Sequence, residues 1–351
     1  MEKFKPNLRL VAWEVTDACN LACKHCRAEA KPEPSKEQLT TEEGKELLNS
    51  ISKVGKPIII FTGGEPLLRG DLFELISHAR QLGLKPVLAP NGTLIDQHVA
   101  KKIKEYGVER VSLSIDGPDA KSHNLFRGVD GAFEKTVDAA RLLKKENIPF
   151  QINTTVTKSN LNEFKKIFNL VKELGAVAWH IFLLVPTGRG KNIKDQIISA
   201  TEYENVLNWF YDFRKKAKHI HFKATCAPHY YRIMRQRAKE EGIKVTPENF
   251  GLDAFTRGCL GGIGFCFVSH KGIVQPCGYL PIECGNIREK DFNTIWYESE
   301  IFQQLRDPNC YKGKCGKCHY FKVCGGCRAR AYTMLGDYLE EEPLCSYNPS
   351  S

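Results

Sequence analysis

Apolar residues run from Leu8 to Val15, and short runs of the same kind return at Pro57–Phe61, 84–89, 108–115, 150–156 and 177–185. Runs this short, with few polar interruptions, suit strands buried on both faces of a parallel sheet. Between them, residues 71–82, 96–106, 131–146 and 161–174 read as helices, and Thr40-Thr-Glu-Glu opens another, with a capping pattern, that extends to about Val54. Six strands alternating with helices predict an α/β fold whose parallel sheet curls toward a partial (β/α)6, TIM-like barrel. In such sheets ligands sit at the carboxyl ends of the strands. The segments Cys19–Cys26, Gly63–Pro66, Asn91–Thr93, Asp116–Pro118 and Pro186–Gly190 each follow a strand, so five loops converge on one rim.

The pattern changes beyond residue 200. Residues 202–217 and 229–241 read as helices, and from Gly258 onward glycine and cysteine dominate with no period long enough for a large core. The predicted division is a barrel over 1–200, a helical linker bordering the substrate site over 201–257, and a small module folded around metal over 258–351.

A chain of 351 residues, 42% hydrophobic and 26% charged, has the composition of an ordinary globular protein. Its first residues lack the apolar core of a signal peptide and no run approaches a membrane span, so a cytoplasmic location is expected. In that compartment thiols stay reduced, and fourteen cysteines therefore argue for metal ligation over disulfides. Three lie in the first 26 residues, one is Cys226, and ten fall between Cys259 and Cys345. The net charge of +10 is spread along the helices, which favours a small acidic substrate over nucleic acid.

Cys19-x3-Cys23-x2-Cys26 can reach three irons of one cubane from a single loop, leaving the fourth iron open. A structural zinc site would need a fourth ligand, and within twenty residues of Cys26 the sequence offers only His25, inside the loop itself. With Gly63-Gly-Glu-Pro66, this loop resembles the radical S-adenosylmethionine (SAM) superfamily. The resemblance implies that the open iron of a [4Fe–4S] cluster chelates the methionyl amine and carboxylate of SAM. Reductive cleavage of SAM then yields a 5′-deoxyadenosyl radical. It further implies that Gly63, Gly64 and Glu65 hold the methionyl amine and that His25 lies by the adenine. Asn91, Ser114 and Asp116 become candidates for the ribose and the pocket floor, although Asn91-Gly92 and Asp116-Gly-Pro are also good turns in their own right. His123-Asn-Leu-Phe-Arg127-Gly128 resembles an H-D-x-x-R-G element whose arginine, here Arg127, offers a fork to a carboxylate; Asn124 stands where that element has aspartate.

The tail reads Cys315-x2-Cys318-x5-Cys324-x2-Cys327, then Cys345, preceded by Cys259, Cys266 and Gly272-x4-Cys277. Two C-x2-C pairs alone would suit a zinc ribbon. Beside the N-terminal motif the tail resembles the SPASM and twitch domains of radical SAM enzymes. That resemblance implies one auxiliary [4Fe–4S] cluster on Cys259, Cys266, Cys277 and Cys327 and a second on Cys315, Cys318, Cys324 and Cys345. Cys327 falls one residue short of the usual spacing. Cys226, Cys284 and Cys310 are left to serve as small buried apolar residues.

Further stretches narrow the resemblance: Leu10-Val-Ala-Trp-Glu-Val-Thr, Cys26-Arg-Ala-Glu-Ala30, Gln275-Pro-Cys-Gly-Tyr-Leu280, Cys284-Gly-Asn-Ile-Arg288 and Cys324-Gly-Gly-Cys-Arg-Ala-Arg-Ala-Tyr332. Over nearly the whole chain these are similar to the heme b synthases of the siroheme-dependent heme pathway. Enzymes acting on didecarboxysiroheme or the heme d1 precursor share fewer of them. The resemblance implies oxidative decarboxylation of two propionates of iron-coproporphyrin III to vinyl groups, with two SAM consumed per heme. An auxiliary cluster would accept an electron, and a ferredoxin or flavodoxin would supply low-potential ones. A tetrapyrrole is flat, apolar on its face and anionic at its rim. His229, Tyr230, Arg232 and Arg235 on one helix supply the matching mixture, the alternative being a solvated basic helix. The rival functions are a peptide-modifying SPASM enzyme and a non-catalytic iron–sulfur electron carrier.

Overall fold

The computed structural model describes residues 6–217 and 219–349; residues 1–5, at the head of the stretch read for a signal peptide, lie outside the described residues. All six apolar runs are strands: β1 Leu10–Glu14, β2 Ile58–Thr62, β3 Lys85–Leu88, β4 Arg110–Ser114, β5 Phe150–Val156 and β6 Ala178–Leu183. Each pairs in parallel with the next, Val11 opposite Ile59, Leu88 opposite Val111 and Ile152 opposite Trp179. On one face Val11, Trp13, Phe61, Leu113, Ile152 and Trp179 are fully buried. Trp179 is the centre of an aromatic cluster with Phe164, Phe168, Phe210 and Phe222. Helices 41–54 and 200–216 begin with complete capping boxes, Thr40 with Glu43 and Ser199 with Glu202, which satisfy backbone donors a helix start leaves free.

The segment 201–257, expected to be a helical linker, contains a seventh strand, β7 His221–Thr225, parallel to β6. Only Phe222 and Ala224 of this strand face the core. The polar residues between them interrupt the apolar run that betrays the other strands.

The tail continues the same sheet. β8 Phe265–Val268 pairs in parallel with the free side of β1, followed by antiparallel β9 Ile273–Gln275 and β10 Gly285–Asn286. The sheet order is β10-β9-β8-β1-β2-β3-β4-β5-β6-β7, so the module and the barrel share one ten-stranded sheet. Among the described residues no helix is long and apolar enough to cross a membrane.

Candidate active site

The loop after β1 brings Cys19, Cys23 and Cys26 together, packed with Leu21 and Ala132. Three neighbouring loops hold it. The Gly64 and Glu65 N–H groups donate to the Thr16 and Ala18 carbonyls at 2.8 and 2.7 Å. A Cβ on Gly63 would lie 2.5 Å from the Thr16 oxygen and one on Gly64 2.2 Å from that of Ala18, so only glycine permits this approach. From the end of helix 120–127, the Phe126 carbonyl accepts the Lys24 N–H at 3.1 Å. From the loop after β6, the Arg189 N–H and Nε donate to the carbonyls of Cys26 and Cys23, both at 2.9 Å.

The buried Glu65 carboxylate accepts the N–H groups of Asn91, at 2.6 Å, and Leu67, at 3.0 Å, and burial pushes its pKa up to about 7 despite them. The Asn91 side chain donates to Asn20 at 2.7 Å and points toward the Cys19 sulfur. His25 stacks on Phe126 with centroids 4.3 Å apart; burial, then the Arg127 charge, lowers its pKa to about 3, which keeps the ring neutral. Arg127 pairs with Asp116 at 2.5 Å and reaches the Cys23 sulfur at 3.7 Å. Burial opposes ionisation of Asp116, but the Arg127 guanidinium outweighs it and holds the carboxyl below its ordinary range. Burial pushes the Cys19 thiol up to about 11, so iron binding would have to displace its proton. The residues fit a three-thiolate cluster with an open iron: three convergent thiols, a glycine cradle and an aromatic platform.

In the tail, Cys315, Cys318, Cys324 and Cys345 line one cavity. The Glu342 N–H and the Arg328 Nη2 donate to the Cys315 sulfur at 3.3 and 3.6 Å, contacts of the kind that tune cluster sulfurs. Cys327 does lie beside Cys259 and Cys277. Gly325 and Gly326, both left-handed at φ 77° and 62°, turn the shortened segment back far enough to bring it there.

Cys266 does not join them. It sits in the middle of β8 opposite Val11, fully buried in the apolar core and facing Cys284 and Arg306. Strand alternation turns its side chain away from Cys259. Cys226, read as a filler, lies against Cys327 and Cys277 instead. The missed signal was its position directly after a strand that the apolar pattern does not reveal.

The helix read as bordering the substrate, 229–240, is committed elsewhere. Tyr230 is fully buried against Phe210 and Tyr231. Arg232 is a bidentate partner of Glu204, and with His229 it lines the cavity of the second cysteine set. Arg235, half-buried, lies on the same helix. Arg232 and Arg237 of this helix are ion-paired, with Glu204 and Asp212.

A different basic surface lies inside the barrel. On the face of β4–β7 opposite the core, one register row carries Ser114, Asn153, His180 and Lys223. The row below carries Ser112, Gln151, Ala178 and His221, with Arg110 one step further down β4. Ser114 thus joins this surface at its rim end. Gln151 bonds the His180 ring at 3.0 Å and the rings of His180 and His221 are 5.8 Å apart. Burial lowers the pKa values of Arg110, His180 and Lys223. Asp253, which faces Lys223 and His221, is shared with Tyr231 at 3.1 Å and Arg214 at 3.8 Å. Arg110 and Lys223, beside the neutral His180 ring and with little acid between them, give this half-buried surface a chemistry suited to anions.

Residues 13–171 match the radical SAM superfamily model, and 259–328 match the SPASM iron–sulfur cluster-binding domain. The chain is 62% identical over 349 residues to the AdoMet-dependent heme synthase of Nitratidesulfovibrio vulgaris, covering 99% of this chain and 95% of the relative. It is 54% identical to the AdoMet-dependent heme synthase of Methanosarcina barkeri, over 97% of both. The Fe-coproporphyrin III synthase of the same archaeon is more distant, at 32%, over 96% of this chain and 87% of that one. Among solved structures, Streptococcus suis SuiB bound to S-adenosylmethionine shares the fold, with a TM-score of 0.77 at 16% identity, over 97% of this chain and 78% of that one. The convergent thiols, the glycine cradle and these identities together place the chain in the radical SAM, SPASM-containing family of AdoMet-dependent heme synthases.

Proposed function

We propose that this chain makes heme b by oxidative decarboxylation of two propionates of iron-coproporphyrin III. The observation that carries the reading is the 62% identity to a heme synthase along 99% of the chain. In each round a propionate loses one hydrogen atom to the SAM-derived radical, then one electron and carbon dioxide, leaving a vinyl group. Cys19, Cys23 and Cys26 would hold the [4Fe–4S] cluster, which would supply the electron for cleaving SAM. Gly63, Gly64 and Glu65 hold the methionyl end, His25 and Phe126 offer a neutral aromatic wall to the adenine, and Asn91, Ser114 and Asp116 border the ribose. Arg127, neutralised by Asp116, steadies the loop through Cys23. The tail cysteines would hold auxiliary clusters able to accept the outgoing electron, a low-potential ferredoxin or flavodoxin is the donor, and the compartment is the cytoplasm, in keeping with fourteen free cysteines.

The inner face of the barrel is the substrate's seat: Arg110, His180 and Lys223 take propionates that do not react. Each charge-assisted contact is worth about 1.5 to 3 kcal/mol, so Lys223→Met or Arg110→Met should weaken iron-coproporphyrin III binding about tenfold or more while uncoupled SAM cleavage persists. The reading itself is tested by anaerobic incubation with iron-coproporphyrin III, SAM and dithionite, followed by mass analysis for loss of one and then two carbon dioxide units. Unchanged porphyrin beside active SAM cleavage would redirect the search to another tetrapyrrole or to a peptide.

A further inference from the structure

With Cys266 in the core, the first auxiliary set is one thiol short. Cys259, Cys277 and Cys327 remain together, and the side chain closing the group is that of Cys226, one residue beyond β7. Its side chain lies against that of Cys327 and faces Cys277. Cys226, Cys277 and Cys327 sit in a small apolar shell with Val185, Leu280 and Ala329 at its centre, and Cys259 adjoins Cys277 and Cys327. Four cysteine thiols converging from different segments within apolar surroundings are the donor set a [4Fe–4S] cubane requires, so the residues fit the group.

Two further observations single out Cys226. Its φ is 55°, a left-handed value that among the described residues only two other non-glycine positions, Glu29 and Asn147, share. A residue other than glycine, asparagine or aspartate is strained there, and the strain persists where the surroundings enforce it. The surroundings are specific: the Cys226 carbonyl accepts the Tyr203 hydroxyl at 2.6 Å and the Arg330 Nη2 at 2.9 Å. Arg330 is fully buried and paired with Glu342, whose carboxylate also accepts the Cys327 N–H at 2.8 Å. One polar network therefore fixes the backbones of Cys226 and Cys327 together, one on the barrel and the other in the tail.

We infer that Cys226, Cys259, Cys277 and Cys327 hold one auxiliary [4Fe–4S] cluster, with the barrel supplying one ligand and Cys266 none. Cys226 precedes residue 259, where the matched iron–sulfur domain begins. The cluster thereby joins tail to barrel at the end of β7, on the rim where the radical is made. This inference rests on the iron–sulfur reading of the tail and is independent of the porphyrin.

The test compares the anaerobically reconstituted full chain with its Cys226→Gly and Cys266→Ala variants, reading iron and sulfide content and the electron paramagnetic resonance spectrum after dithionite reduction. Glycine removes the thiol and relaxes the left-handed backbone, which guards the fold. Wild type should hold about twelve irons, three cubanes. Cys226→Gly should lose about four of them or keep them with one cluster signal shifted, and Cys266→Ala should match wild type. Should the glycine variant not fold, Cys226→Ser, whose oxygen can still ligate, should keep its iron with that signal shifted. A Cys226 variant that folds and is indistinguishable from wild type, or a Cys266→Ala variant that loses the same signal, overturns the ligand set. A wild-type chain with about four irons overturns the iron–sulfur reading of the tail along with it.

Discussion

The N-terminal metal site and the tail sites are assembled in opposite ways. The first takes its three thiols from one eight-residue loop, and the rest of the barrel only braces that loop. The second gathers thiols from segments scattered between residues 226 and 345, and depends on buried polar contacts to keep barrel and tail in register. A contiguous site should therefore fail by losing a ligand, whereas a dispersed one should also fail by losing its scaffold.

The largest expected effect is on the contiguous side. Replacing Cys19, Cys23 or Cys26 by alanine should lower 5′-deoxyadenosine formation at least about a thousandfold, with the fold intact by circular dichroism. A scaffold change should divide the two ends. Arg330→Ala strands the buried Glu342 carboxylate and should cost about 3 to 5 kcal/mol in anaerobic urea unfolding, with loss of auxiliary iron before loop iron. Simultaneous loss from both ends would break the comparison.

Glu65 gives a pH signature to the loop end of the cofactor-free protein. Because burial raises its pKa from 4.5 to about 7, its share of stability is present below pH 4.5 and lost as pH rises through about 7. The change is on the order of 3 kcal/mol, and Glu65→Gln should flatten it in denaturation midpoints measured from pH 5 to 8. Arg232→Ala breaks the Glu204 pair and should cost about 2 kcal/mol without altering porphyrin affinity. A weakened affinity would return that helix to the substrate site. Cys310→Ser, at a half-buried position outside both cysteine sets, should stay within about 0.5 kcal/mol and keep all iron.

The six strands and the loop motif were legible because apolar runs and fixed spacing are local signals. β7 was not, since its polar residues face the barrel interior and break the run. The positions of Cys266, in the core, and of Cys226, beside Cys327, were hidden for a related reason: motif spacing counts residues along the chain, but strand alternation decides which side a thiol faces. Likewise, composition pointed to an anionic substrate but placed its seat on helix 229–240, whose Arg232 is already neutralised by Glu204. The polar surface along β4–β7 emerges only when strand register aligns His180 with Lys223.

The pairing of β8 with β1 bears on how the chain can be shortened. Leu10, Val11, Ala12 and Trp13 find their outer partners in Phe265–Val268. A fragment ending before Phe265 would retain the cysteine loop but bare that row of backbone donors and acceptors along an apolar strand, a template for another chain. Such a fragment should self-associate before it can be assayed, and in this sense the tail is also the barrel's guard against aggregation.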